Sequence, residues 1–138
     1  MIEEILATHE LKLVTEDDVM AVRRRVREIA EMRKFDTFAI AAITTATSEL
    51  ARNVVVHGRG GTAKIEEISD GLRAGIRVVF TDEGPGIPDI ARVMSGGYST
   101  ARSMGLGLSG SKRLVDDFDL ESQVGVGTRV TVTKWKRF

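Results

Sequence analysis

Four groups of residues in this chain have the types and spacing to do chemistry. Glu49 and Asn53 lie four apart in an apolar-periodic stretch, so a helix turns both to one side, with His57 next along that stripe. A carboxylate and an amide one turn apart can set a base beside a metal ion, although two polar residues on a solvated face share that spacing. Asp82-Glu83-Gly84-Pro85-Gly86-Ile87-Pro88 puts a carboxylate at the end of an alternating run. The carboxylate can accept a hydrogen bond from an exocyclic amine, and the glycines let backbone approach a ligand closely. A surface turn alone does not need that density of glycine and proline. Gly105-Leu106-Gly107-Leu108-Ser109-Gly110 reads as the opening of a helix, where bare amides hold phosphate. Its spacing satisfies G-x-G-x-x-G, but the dinucleotide fingerprint needs a strand just before it. The preceding residues, Ser95 to Met104, are small and polar. The kinase glycine loop fails too, because no H-R-D or D-F-G follows. Last, Gly125-x-Gly127-Thr128-x-x-Thr131 reads as a hairpin carrying hydroxyls.

The elements that must position these groups follow from periodicity. Residues 2–14 read as an opening strand. Thr15 is an N-cap candidate with Asp18 three residues on. The helix it starts carries Val19, Val22, Val26 and Ile29 on one face, with Arg23, Arg24 and Arg27 on a solvated one. A second helix runs from Asp36 or Thr37 to about Val56, with Ile40, Ile43, Thr47, Leu50 and Val54 as its core stripe. Residues 62–68 and 73–82 are strands around a turn at Ser69-Asp70-Gly71. A glycine-rich stretch follows, with a short helix at 89–94, a helix at about 106–118, and strands near 119–123 and 128–135. Strand pairs with separate helices predict an α+β fold, a two-layer sandwich with helices on one face of a mixed sheet.

Composition narrows the chemistry. The 138 residues suit one domain spanning the chain, with 42% hydrophobic and 29% charged residues. Twenty basic residues balance twenty acidic ones and aromatics are 5%, which speaks against nucleic acid as a partner. With no cysteine, disulfides, thiolate nucleophiles and cysteine metal sites are excluded. His9 and His57 are the only imidazoles, so no multi-histidine metal site forms. No apolar run is long enough to span a membrane and the N-terminus lacks the basic start of a signal peptide, so a cytoplasmic protein without membrane attachment is expected.

Taken together and in this order, the four groups resemble the GHKL family of ATP-binding domains, which includes gyrase, Hsp90, histidine kinases and MutL. Glu49 and Asn53 match its N box. Asp82, Gly84 and Gly86 match its D-x-G-x-G box, Gly105 and Gly107 its G-x-G box, and Thr128 with Thr131 its final G-T-x-x-[ST]. The chain lacks a phosphoacceptor-histidine helix pair and a transducer domain. It is most similar to the small bacterial serine kinases that regulate sigma factors by partner switching, the stressosome switch kinases among them. Ile43 to Asn53, Lys112 to Phe118 and the ending Thr133-Lys134-Trp135-Lys136 carry that narrower likeness.

The resemblance implies ATP and Mg²⁺ as cofactors and a protein serine or threonine as acceptor. It makes Glu49 the base and Asn53 the Mg²⁺ ligand. Asp82 would bond the adenine amine, with Gly84, Gly86 and Ile87 in the hinge below a lid. Gly105, Gly107 and Leu108 would form the phosphate-contacting turn, and Arg102 would contact the γ-phosphate. Thr128 and Thr131 would stand beside the adenine, Thr131 being the better candidate for contact. Implied partners are STAS-domain scaffold and antagonist proteins as substrates, then a PP2C-type phosphatase. The rival readings are an anti-sigma factor kinase that binds a sigma factor directly and a mainly non-catalytic, ATP-dependent binding module.

Overall fold

In the structure, a computed structural model, residues 3–95 and 100–137 are described, with side chains for all of these except 100–106. Strand β1 (Glu4–Leu13) leads to Thr15, whose hydroxyl accepts from the Asp18 amide while the Asp18 carboxylate accepts from the Thr15 amide. This capping box satisfies donors that a helix start leaves open. It begins α1 (Glu16–Met32), which buries Val19, Val22, Val26 and Ile29 and leaves Arg23, Arg24 and Arg27 exposed, as its periodicity predicts. Asp36 caps α2 (Thr37–Val56) by accepting from the Ala39 amide at 2.8 Å. Strands β2 (Gly61–Ser69) and β3 (Ala74–Asp82) form a hairpin whose turn is held by Asp70, an acceptor for the Leu72 and Arg73 amides. Then come α3 (Ile90–Met94), α4 (Thr100–Leu114), β4 (Asp117–Gln123) and β5 (Gly127–Trp135).

The five strands form one sheet in the order β1-β2-β3-β5-β4, and every neighbouring pair is antiparallel. The expected mixed sheet is therefore corrected to an antiparallel one. The helical crossover does make β3 and β4 run the same way, but β5 returns between them and opposes both. Ala63, Ile65, Ile76, Val78, Phe80, Val130 and Val132 share one core with the buried residues of the helices. Strand alternation sends their neighbours to the other, more polar face. There Arg77 binds Glu66 at 2.9 Å and Glu3 at 2.6 Å. At the end of that face Trp135 lies over Gly75 beside the fully buried Ile68, and a Cβ on Gly75 would come within 2.6 Å of the indole.

The last helix also differs from expectation. It begins at Thr100 and ends at Leu114, instead of covering 106–118, so the glycine run lies inside it. Glycine costs a helix interior about 1 kcal/mol relative to alanine, and packing overrides such propensities. Here Leu108 and Ser111 are buried on the side of α4 that meets α2. Among the described residues no helix is long and apolar enough to cross a membrane.

Candidate functional site

The C-terminal half of α2 presents Leu50, Asn53, Val54 and His57 on one stripe, the i, i+3, i+4, i+7 positions of a helix. Facing them are Phe80 and Asp82 from the end of β3, Gly86 and Ile87 from the following loop, Leu108 from α4, and Thr128 and Val130 from β5. They line a narrow cavity of about 30 Å³. Small-molecule sites combine apolar walls with a few placed polar groups. This one has Phe80, Ile87, Leu108 and Val130 as walls, and Asn53, His57, Asp82 and Thr128 as polar groups.

Asp82 is fixed from behind. Its Oδ1 accepts from the Gly84 amide at 2.9 Å, and the Thr128 amide also bonds its carboxylate. Burial pushes the carboxyl above its ordinary 3.8 and outweighs these two bonds, which act the other way. Gly58 backs the carboxylate so closely that a Cβ there would occupy it, and Gly84 stacks on Gly58 with 2.8 Å between its own would-be Cβ and the Gly58 Cα. Gly86 takes a positive φ of 78°, which turns the loop against the Gln123 carbonyl. The same loop is tied to the β4–β5 hairpin. The Ile87 amide donates to Ser122 Oγ at 2.8 Å, Ser122 Oγ lies 2.8 Å from Thr128 Oγ1, and the Gly125 amide donates to the Pro85 carbonyl at 3.0 Å.

At the cavity edge the α2 stripe continues to Glu49, whose side chain is 46% exposed with Arg52 Nη1 at 3.7 Å. Gly107 of α4 faces both N-box side chains. A Cβ on it would lie 3.2 Å from Asn53 Nδ2 and 3.5 Å from Glu49 Oε2. Asn53 Nδ2 is buried and has no hydrogen-bond partner among the described residues. Burial lowers the His57 pKa from its ordinary 6.5 and so disfavours the charged form of the ring that faces the cavity.

Of the sequence-derived candidates, Asn53, Asp82, Gly86, Ile87, Leu108 and Thr128 line one cavity, Gly84 backs Asp82, and Glu49 and Gly107 form its rim. Thr131 does not join them. It pairs with Val79 in the strand register, one residue beyond Val130, and alternation places it on the opposite face of the sheet. Thr128 is the β5 hydroxyl on the cavity side. Leu108 is an apolar wall, 2% exposed, rather than part of a phosphate turn. In a helix that starts at Thr100 only the first four amides lack an intrahelical acceptor, so those of Gly107 and Leu108 are committed. Arg102 and Gly105 lie outside the residues whose side chains are described. Sequence reasoning put His57 on the Glu49–Asn53 stripe without giving it a role, and missed Leu50, Val54, Gly58, Phe80 and Val130 as site residues. The stripe through Asn53 and the residue two before Asp82 were the available signals; nothing local marks Gly58 as Asp82's neighbour.

The profile of the histidine kinase-, DNA gyrase B- and HSP90-like ATPases matches residues 39–137. The chain belongs to that family. Within it, the chain is 43% identical over 127 residues to the serine/threonine-protein kinase RsbT of Bacillus subtilis (strain 168), covering 92% of this chain and 96% of the relative. It is 34% identical over 102 residues to an anti-sigma F factor of Thermoanaerobacter sp. (strain X514), covering 70% of each. The extent of the first match makes this member of the family an enzyme of the serine/threonine-protein kinase type. Among solved structures, the RsbU and RsbW domains of a Mycobacterium tuberculosis protein superpose with a TM-score of 0.67 at 23% identity, over 96% of this chain and 33% of that longer one. The SiaB–SiaC complex of Pseudomonas aeruginosa gives 0.52 at 11% identity, over 95% and 90%. Both show the ATPase-family fold.

Proposed function

We propose that this chain is an ATP- and Mg²⁺-dependent kinase of a cytoplasmic partner-switching stress response. It phosphorylates a serine or threonine on STAS-domain stressosome and antagonist proteins and, once released, activates a PP2C-type phosphatase that controls a sigma factor. The observation that carries the reading is the cavity between α2 and β5 with half-buried Asp82 and Asn53 in its lining and Glu49 at its edge. The proposed place of adenine is between the apolar walls, with its exocyclic amine donating to the Asp82 carboxylate. The phosphates then extend past Asn53 toward Gly107, and Arg102 and Gly105 belong to that end of the proposal.

The donor set suits Mg²⁺. Asn53 offers an amide oxygen for the ion, its Nδ2, buried and without a partner among the described residues, is a donor suited to a phosphate oxygen, and Gly107 lets the backbone of α4 come close to both. No group of three His, Asp or Glu side chains converges among the described residues. That matches an ion held by few protein ligands together with phosphate oxygens and water. When bound, the ion supplies neutralisation of phosphate charge. The chain's own residues hold the base, orient the phosphates and exclude water from the apolar end of the cavity. Glu49, exposed beside Asn53, accepts the proton of the incoming hydroxyl.

The test is phosphoryl transfer from labelled ATP to a purified STAS protein. Glu49→Ala is expected to abolish transfer while ATP binding persists, because the base acts on the nucleophile. Transfer by Glu49→Ala at the native rate sinks the assignment. The 34% identity to anti-sigma F factors favours a second reading, a kinase that binds a sigma factor directly. Co-purification of a sigma factor in place of STAS protein and phosphatase selects it.

A further inference from the structure

The end of the molecule away from the cavity has a feature that the kinase reading does not use. The C-terminal half of α2 faces the cavity, so Phe38, in its first turn, lies about 20 Å from Asn53 along the axis. There the start of α2, the end of α4 and the end of β5 line an open groove of about 390 Å³. Phe38 is 88% exposed, the most exposed large apolar side chain among the described residues. Ala42 and Leu114 continue an apolar wall beside it, and Arg113, Lys134 and Arg137 form the rim. The carboxylates at this end are already engaged. Asp36 caps α2, and Asp116 accepts from the Trp135 amide at 2.7 Å and holds Lys134 and Arg137 only at 3.7 and 3.9 Å. Arg113 makes no ion pair among the described residues. The groove's lining thus carries three cations against one carboxylate, Asp36, beside exposed apolar surface, on a chain whose net charge is zero.

We propose that this groove is a docking site for an acidic protein segment with one large apolar side chain. That side chain packs on Phe38, Ala42 and Leu114, while its flanking carboxylates pair with Arg113, Lys134 and Arg137. Exposed apolar surface with a polar rim is the mark of an interaction site, and aromatic and arginine side chains supply most of the energy at such contacts. A nucleic acid fits less well, because alanine and leucine in the wall offer nothing to phosphate and the whole chain has no net positive field. The groove is remote from the nucleotide cavity, so an occupant leaves the cavity open. The inference stands whether or not that cavity takes ATP.

The test is fluorescence anisotropy with the purified chain and a labelled synthetic peptide in which a single Phe is flanked by glutamates. Binding is expected, weakened about tenfold or more by Phe38→Ser and by Arg113→Glu combined with Arg137→Glu. Arg23→Glu, on the exposed face of α1, changes the net charge without touching the groove and is expected to bind like the parent. Thermal melts establish that each variant folds, and Arg113→Gln with Arg137→Gln replaces the charge reversal if that pair does not. Three results overturn the proposal: no binding, equal binding of a peptide with glutamine in place of glutamate, or Phe38→Ser binding like the parent. Tighter binding of a labelled single-stranded oligonucleotide, with the same sensitivity to the variants, overturns it in favour of nucleic acid.

Discussion

Asp82 answers to two opposed demands. It is proposed to accept from a ligand, and burial raises its carboxyl pKa above 3.8. A carboxylate with a raised folded pKa takes up its proton at a higher pH in the native state than in the unfolded chain. Ionised Asp82 therefore costs stability at neutral pH, and the cost is relieved as pH falls through the folded pKa. We expect Asp82→Asn to melt at or above the wild-type temperature at pH 7 yet to lose ATP affinity by about ten- to a hundredfold, the worth of a hydrogen bond to a charged acceptor. Calorimetry across pH checks the sign: wild-type affinity falls on acidification from a pH above the ordinary carboxylate range, whereas the variant stays flat. Gly58 makes a second case at this scale. A Cβ there overlaps the Asp82 carboxylate, so Gly58→Ala is expected to cost about 1–3 kcal/mol by overpacking and to weaken ATP binding with it. A variant with native melting and native affinity would show that the carboxylate is free to move.

At the scale of elements, the contact of α2 with α4 decides the rim of the site. Gly107 is unfavourable for its own helix by about 1 kcal/mol relative to alanine, and it faces Asn53 and Glu49. Gly107→Ala is therefore expected to leave thermal stability unchanged or slightly raised, because propensity offsets a tight 3.2 Å approach. The same methyl fills the space where phosphate and Mg²⁺ are proposed to sit, so the Mg²⁺-dependent part of ATP affinity is expected to be lost. Titrations with and without Mg²⁺ separate the two effects. An unchanged Mg²⁺ dependence would move the proposed ion away from Asn53.

For the whole molecule, Glu67 ties the end of α1 to the sheet beneath it. Its carboxylate lies 2.7 Å from His9 Nε2 and 2.9 Å from Arg33 Nε, and Arg25 Nη1 reaches His9 Nδ1 at 3.3 Å. A neutral imidazole that donates through Nε2 and accepts at Nδ1 satisfies both of its contacts. Burial alone would raise the Glu67 carboxyl, but the bonds from His9 and Arg33 outweigh it and hold it below its ordinary 4.5. A depressed folded pKa gives stability that is present above 4.5 and lost as pH falls through the folded value. Glu67→Gln is expected to cost about 1–3 kcal/mol near neutral pH, with the difference shrinking in acid. Urea unfolding at several pH values measures it, and a gap that widens on acidification would contradict the sign.

Much of this protein was legible in its residue order. The helix stripes, the Thr15 and Asp36 caps, the alternating strands and the placing of Glu49 and Asn53 on one side of a helix and of Asp82 at a strand end depend on neighbours within a turn or two, and short-range periodicity encodes such relations directly. What periodicity does not encode is which distant segments meet. The insertion of β5 between β3 and β4 turned an expected mixed sheet antiparallel, and its register sent Thr128 to the cavity and Thr131 to the opposite face. The start of α4 at Thr100 followed from packing that overrode glycine propensity, and it committed the amides that the glycine run had promised to phosphate. Gly58 against Asp82, and Glu67 against a histidine 58 residues away, are set by the way sheet and helices stack. A one-residue change of strand register reverses which side chains face the core, so these assignments belong to the tertiary structure.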